Sequence, residues 1–337
     1  MNCDVCVIGA GPAAAASAIA ARQAGAAVLL AGTLRSPRTG TLELLSTTAA
    51  NTLLELGLYD LVRTTAHPCA GSVSRWFADE FIEHSCLLEP RGGGWIVDRA
   101  ALDPLLLIEV AARGVQVLPE RAVAVEPDAG TRSVQVRTRR EKLSAATVIV
   151  AVGRGAGVVR RTTSRTLRHR MVALTVTLKP EAIPGLGHRL LVDRAPNGWW
   201  YALADTRATS IGYCVDADTL TTMGGTAAAW HEGCRAASDW LPRIAIGRAP
   251  RVRPATIGST WPVAQHSVHL VGDAAFALDP LSGCGLALAL ESATRWADED
   301  YVDWSRETDE IRQHEERQIY RAAAGGFDGR FWTRRRR

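Results

Sequence analysis

The sequence predicts an α/β fold: buried parallel strands flanked by helices, interrupted by a largely antiparallel α+β insertion. Three observations support this reading. An apolar run at residues 3–9 meets a glycine loop and then an alanine-rich helical stretch. A second apolar run at 267–272, far along the chain, also meets a glycine turn and a helical stretch. Between them, from about Arg170, strand-like segments are joined by a turn-rich Asp205-Thr206-Arg207 hairpin.

Taken in order, residues 3–9 read as a strand, 13–24 as a helix closed by Gly25, and 26–31 as the strand completing a βαβ unit. Residues 43–57 read as a second helix, apolar at Leu44, Leu45, Leu53, Leu54 and Leu56. Trp95-Ile96-Val97 leads into a helix opened by Asp98-Arg99-Ala100-Ala101-Leu102-Asp103 and ending at Gly114. Residues 115–118, 122–126 and 133–138 are strand-like, and 147–152 is a fully apolar strand returning to the parallel sheet. Residues 171–178, 198–204 and 209–215 form the antiparallel segment, with a helix at 226–241. Residues 286–296 are helical, and the charged stretch 298–321 reads as an exposed helix.

A chain of 337 residues allows one large domain or two moderate ones. The net charge of +4 is modest, and Lys142 and Lys179 are the only lysines. The Arg334 to Arg337 run reads as a solvated tail. Seven cysteines do not suggest a disulfide framework. Cys3 and Cys6 have CxxC spacing but lie inside the first strand, so they read as small buried residues and no metal site is expected. Strand character from Cys3 leaves no room for a signal peptide, and no apolar stretch is long enough to span a bilayer. A soluble cytoplasmic protein is expected, with neither nucleic acid nor membrane as partner.

Gly9, Gly11 and Ala14 fill a G-x-G-x-x-G/A loop, with Pro12 and Ala13 inside it. Such a Rossmann-like loop turns tightly at its first glycine and admits a pyrophosphate at its second. One departure stands out: the second strand ends Leu29-Leu30-Ala31-Gly32-Thr33, without an acidic residue for the ribose. That role passes to Thr33 or Arg35. The late turn offers Gly272-Asp273, whose carboxylate suits ribityl hydroxyls. Asp279-Pro280-Leu281-Ser282-Gly283-Cys284-Gly285 then opens a helix whose N-terminus would favour negative charge on a reduced isoalloxazine. The pair predicts bound FAD. The FAD-binding domain is therefore discontinuous, over 1–70, 92–165 and 265–300. A substrate domain takes 71–91 and 166–264, and 301–337 is a C-terminal helix and basic tail.

These motifs resemble the one-component FAD monooxygenases of the p-hydroxybenzoate hydroxylase type, over roughly residues 2–296. The resemblance rests on the first loop, the Asp98 to Asp103 helix start, Ala151-Val152-Gly153-Arg154 and the late turn. It implies that Arg99 lies near the flavin phosphates and Gly153 near the cofactor. The family usually has Asp-Gly where this chain has Val152-Gly153, which weakens inferences about nicotinamide handling. Within the superfamily the chain is more similar to the branch of flavin-dependent halogenases and geranylgeranyl reductases. Residues 38–57, with Arg38 and Glu43, resemble its arginine–glutamate loop, and Asn197-Gly198-Trp199-Trp200-Tyr201 resembles its aromatic strand. Halogenation needs a lysine in the early loop region, and neither lysine lies there.

What remains is similar to flavoproteins that hydroxylate a tryptophan in a partner polypeptide during tryptophylquinone maturation. The resemblance implies that NAD(P)H reduces FAD and O₂ forms a C4a-hydroperoxide, whose distal oxygen passes to an electron-rich aromatic ring. The substrate is then an aromatic compound, one form being a peptide or protein carrying tryptophan. Expected cofactor residues are Gly9, Gly11, Pro12, Ala13, Ala14, Thr33, Arg38, Arg99, Gly153, Gly272, Asp273, Pro280, Gly283, Cys284 and Gly285, with Cys284 read mainly as packing. Trp199, Trp200, Tyr201 and Trp261 are expected to wall the substrate pocket, with Trp76 and Trp95 flanking another wall. His67, His84 and His169 are candidate proton acceptors, each equally at home on a surface, so no catalytic residue is named. Two other readings stay open: a flavin reductase saturating an isoprenoid double bond, and a non-catalytic flavin-binding scaffold.

Overall fold

The computed structural model describes residues 2–33, 41–86, 92–128, 130, 133–155, 157–159, 162–237, 239–323 and 326–336. Arg35 and Arg38 lie outside them, as does Arg337.

The strand Asn2–Ile8 sits at the centre of an eight-stranded sheet, between Lys142–Val150 and Val28–Ala31. It runs parallel to both. Val268–Leu270 adds in parallel beyond Lys142–Val150, and Gln116–Leu118 beyond Val28–Ala31. The central strands are nearly continuous apolar runs because both faces are covered. Val134–Arg137 and Ala124–Pro127 extend Lys142–Val150 as an antiparallel meander. The helices Pro12–Gln23 and Gly285–Arg295 pack on one another although they come from opposite ends of the chain.

A second sheet of seven strands carries the insertion. Its order is Arg251–Pro254, Met171–Leu178, Thr209–Asp216, Gly198–Ala204, Arg189–Ala195, Gly71–Arg75 and Ile82–Ser85. All pairings are antiparallel except Arg189–Ala195 with Gly71–Arg75. The hairpin at Asp205 is closed by its own carboxylate, which accepts from the N–H groups of Arg207 and Ala208 at 2.8 and 2.7 Å. One face packs on the helix Thr226–Ala236 around Trp200, Tyr213 and Trp230. The other carries Trp199 toward Trp76, Tyr320 and Trp332. Two three-stranded sheets join these layers: Ser164–His169, Ile257–Trp261, Phe276–Ala277, and Leu42–Leu45, Trp95–Asp98, Ala66–Pro68.

Two expectations are corrected. Residues 43–57 are not one helix: Leu42–Leu45 is a strand paired with Trp95–Asp98, and the helix is only Ala49–Glu55. Ser46, Thr47 and Thr48 separate them, with the Ser46 and Thr48 hydroxyls 2.6 Å apart, and such side chains compete with helical backbone bonds. The arginine run is not a solvated tail. Arg334, Arg335 and Arg336 belong to the helix Arg330–Arg336, in which Trp332 and Arg335 are buried. The Trp332 indole N–H donates to the Ala195 carbonyl at 2.9 Å. Arg335 donates to Asp216 Oδ1 at 2.7 Å and lies 3.6 Å over the Phe331 ring. The long helix Tyr301–Ala322 is charged outside, yet it buries Tyr301, Ser305, Asp309 and Tyr320.

Arg335→Ala should therefore destabilise the protein by about 3 kcal/mol, since Asp216 would stay buried with only Arg334 to face it. Urea denaturation reads this directly, and an unchanged midpoint would mean the terminal helix contributes nothing to the fold.

Candidate functional site

The first glycine loop is shaped by crowding. Gly9 has φ +139°, and a Cβ there would lie 2.2 Å from the Ala151 carbonyl oxygen. Gly32 faces the same crossing, where a Cβ would stand 2.1 Å from the Gly9 oxygen. Gly11 differs: the nearest atom to a Cβ there is Arg99 Nη2, at 4.0 Å. The helix then starts at Pro12, with Gly11 as an N-cap that offers no side-chain acceptor. Ala13 and Ala14 thus begin a helix whose N-terminal partial positive charge faces open space beside Arg99. That combination suits an anion.

Arg99 is locked in place. Its Nη1 donates to Glu43 Oε2 at 2.7 Å, while Nε and Nη2 donate to the two oxygens of Asp103 at 2.7 and 3.0 Å. Burial alone would lower its pKa, but Glu43 and then Asp103 more than reverse that, so the guanidinium stays charged. Asp98 caps the helix Arg99–Ala112, accepting from the Ala100 N–H at 2.9 Å. Thr33 is exposed at the end of the second parallel strand.

The late turn reaches the same place. Gly272 (φ +58°) fits between Ala13 and Ala289, whose Cβ atoms would lie 3.2 and 3.3 Å from an added Cβ. Its N–H donates to Ser292 Oγ at 2.9 Å. Asp273 Oδ2 lies 3.2 Å from Arg154 Nε, and about a third of its side chain is open to the cleft (32%). The Asp273 carbonyl accepts from Arg165 at 3.4 Å. Burial raises the Asp273 pKa; Arg154, Arg99 and Arg165 oppose this and Glu43 adds to it. Arg154 follows Gly153 (φ +67°), where nothing crowds an added Cβ. Arg154 also donates to the carbonyls of Thr256 and Leu278.

Asp279 accepts from the Leu281 N–H at 2.9 Å and opens the turn Pro280–Ser282. Gly283 (φ +61°) turns the chain against Leu44 Cδ2, 3.1 Å from a would-be Cβ. Cys284 precedes the helix Gly285–Arg295 and offers its N-terminus no side-chain cap. Burial raises the Cys284 thiol, as expected of a packing residue rather than a nucleophile. Gly285 borders open space.

The expected aromatic walls are not one wall. Neighbouring residues of a strand point to opposite faces, so Trp199 and Tyr201 lie together, rings 6.0 Å apart, while Trp200 stacks on Tyr213 behind the sheet. Trp199 is itself buried in the third core cluster. Trp261 packs instead on the core of the parallel sheet. Tyr201 lies over Gly212 of the next strand, and burial, with Cys214 and Glu43, raises its phenol pKa. Trp76 joins Trp199, whereas Trp95 packs edge-on against Tyr59. The histidines are dispersed: His67 lies 3.2 Å from Thr206 Oγ1, His169 is 3.5 Å from Glu316, and His84 sits on an edge strand. The sequence gives no role to Arg154, Arg165 or the Tyr320–Asp279 bond, because each joins segments distant in the chain.

No known family profile matches the chain. LodB of Marinomonas mediterranea, to which FAD-dependent oxidoreductase activity is ascribed, is 24% identical over 86% of this chain and 82% of LodB. The myxobacterial chondrochloren halogenase CndH, an FAD-dependent halogenase, superposes with a TM-score of 0.83 at 23% identity, covering 99% of this chain and 86% of its own. The peptidyl tryptophan dihydroxylase QhpG, essential for tryptophylquinone cofactor biogenesis, gives 0.73 at 22% identity, covering 100% and 79%. The chain has the fold of these flavoproteins. Its Rossmann-like parallel sheet and inserted antiparallel sheet agree with the fold class expected from the sequence.

Gly9→Ala should cost about 3 kcal/mol or more, because both φ and the Ala151 carbonyl oppose a side chain. Gly11→Ala should change stability by about 1 kcal/mol at most while placing a methyl group where an anion would approach. Denaturation curves of the two variants test the contrast, and equal losses would contradict it.

Proposed function

We propose that this protein is an FAD-dependent monooxygenase that hydroxylates an aromatic ring, using NAD(P)H as reductant and O₂ as co-substrate. The ring proposed is a tryptophan side chain of a partner polypeptide. One observation carries the cofactor assignment. Glycine turns from opposite ends of the chain meet, with Gly272 seated between Ala13 and Ala289, at a cleft bordered by Arg99 and Asp273.

The residues fit the group. Gly11 leaves space beside a fixed cation and an uncapped helix N-terminus, which is what a diphosphate requires. Asp273 offers acceptor oxygens to sugar-alcohol hydroxyls. The backbone of Pro280, Gly283, Cys284 and Gly285, with Gly153 opposite, would border the ring system. FAD bound there supplies electron transfer from NAD(P)H to O₂.

The chain's own work is positional. Glu43 and Asp103 hold the Arg99 guanidinium, so little reorganisation accompanies anion binding. Arg154 ties Asp273 to the backbone at Thr256 and Leu278, linking the cofactor cleft to the turn that follows it. Tyr201 packs beside Trp199 and over Gly212, filling that face of the inserted sheet against water. Hydroxylation is favoured over halogenation because Lys142 and Lys179 are both exposed and lie on strands or turns away from the early loop. The likeness of fold to QhpG supports a peptidyl tryptophan as substrate.

The purified protein should show a flavin visible spectrum. Asp273→Ala should weaken FAD binding by about tenfold or more, the usual worth of hydrogen bonds to a charged group. Full flavin occupancy in a folded D273A protein would remove Asp273 from the site. With FAD, NAD(P)H and air, a tryptophan-bearing partner should gain oxygen by mass spectrometry. NAD(P)H oxidation that proceeds equally without O₂ would indicate a reductase instead.

A further inference from the structure

The inserted sheet ends at the strand Arg251–Pro254, which pairs with Met171–Leu178 on one side and with no described strand on the other. The residues that lead into it and form it, 243–254, combine apolar and basic exposure. Three of the ten exposed large apolar side chains among the described residues, Ile244, Ile246 and Val252, lie here. Beside them stand Arg243, Arg248 and Arg251, all exposed. No acidic residue occurs between Asp239 and Asp273, and among the described residues no carboxylate pairs with any of these three arginines. Apolar area and unspent positive charge thus coincide, which marks an interaction surface.

The stretch is anchored at both ends. The Trp230 indole N–H donates to the Ala245 carbonyl at 3.2 Å, fixing the short helix Arg243–Ile246. The Ala255 N–H donates to the Met171 carbonyl at 3.0 Å. Antiparallel alternation from that bond turns the N–H and C=O of Val252 to the open side. Pro250 and Pro254 share that side and have no N–H to offer. The edge therefore presents a single donor, enough to register one residue of a visiting strand and too little to template an open-ended one. Specificity then falls to the side chains, and those present suit carboxylates spaced by apolar residues.

The edge also leads to the cofactor cleft. Arg251 and Arg253 share one face of the strand. Arg253 Nη2 donates to Thr41 Oγ1 at 3.1 Å, and the Thr41 carbonyl accepts from the Arg99 N–H at 3.1 Å. Thr41 thus joins the edge strand directly to the residue whose guanidinium Glu43 and Asp103 hold. A polypeptide lying along this edge has the cleft within reach of its neighbouring residues.

We propose that residues 243–254 form the docking surface for an acidic, extended segment of the partner polypeptide whose tryptophan is to be hydroxylated. The inference deepens the proposed function and rests on it for the partner's identity, but not for the binding itself. Docking away from the reacting ring raises that ring's effective concentration at the cleft without demanding tight contacts around it. Polypeptide is favoured over nucleic acid because residues 243–254 contain no aromatic side chain on which a base could stack. It is favoured over a bilayer because the apolar side chains are split between a helix of four residues and a strand, instead of forming one long amphipathic face.

The test uses the full-length protein and a fluorescein-labelled Glu-Val-Glu-Val-Glu-Val peptide, with binding read by fluorescence anisotropy. Wild type should bind this peptide and not its Lys-Val-Lys-Val-Lys-Val counterpart. Affinity should fall about tenfold between roughly 50 and 300 mM salt, as screening weakens exposed charge pairs. The double variant Arg248→Glu/Arg251→Glu should bind about tenfold more weakly or worse, with its thermal midpoint unchanged because both side chains are exposed. Absence of binding by wild type, or equal affinity in the folded double variant, would overturn the proposal. So would tighter binding of a single-stranded oligonucleotide or of phosphatidylserine vesicles than of the acidic peptide. Failure of the monooxygenase reading would appear separately, as missing flavin absorption or missing oxygen transfer with peptide binding intact.

Discussion

At Gly9 the backbone passes so close to Ala151 that one added carbon would sit 2.2 Å from its carbonyl oxygen. Gly32 meets the Gly9 carbonyl from the other side with equal closeness. Three successive strand ends are thereby brought to one point, and the helix Pro12–Gln23 starts there with nothing capping it. The rest of the site is arranged around that crossing. Ala13 leaves just enough room for Gly272, so the late strand's turn arrives against the first helix rather than beside some other element. Segments from opposite ends of the chain meet here because two glycine turns pack where side chains could not.

Arginine joins the layers that steric fit alone would leave loosely related. Its planar fork makes paired, directional bonds that lysine cannot copy. Arg75 grips both oxygens of Asp193, at 2.8 and 2.7 Å, across strands far apart in sequence. Arg168 joins the Ser164–His169 strand to Asp309 on the long helix. Arg335 fixes the terminal helix to Asp216 on the inserted sheet. Such buried pairs add little net stability compared with apolar packing, but they tolerate few alternative registers. The Arg168 and Arg335 pairs fix how the long helix and the terminal helix sit on the strands they cover.

The elements legible in the sequence were those whose signal is local. The run to Ile8, the loop at Gly9 to Ala14 and the Asp205 hairpin each announce themselves within a dozen residues. The strand at Leu42–Leu45 was masked by leucine spacing that also fits a helix, and only its pairing with Trp95–Asp98 decides the matter. Trp199 and Trp200 were grouped as one wall, although period-two alternation already separates neighbours on a strand. The terminal arginines and Glu316 were opaque for another reason. A charge in a charged stretch reads as solvated until its partner is known. Asp216, His169 and Asp279 are supplied by segments more than a hundred or only tens of residues away, with no pattern linking them.

The turn at Asp279 is where these constraints meet. Arg154 holds the Leu278 carbonyl from the side of Asp273, while Tyr320 holds the Asp279 carboxylate from the side of the long helix. The turn is thus braced from both directions, and a displacement on either side would have to break a buried hydrogen bond.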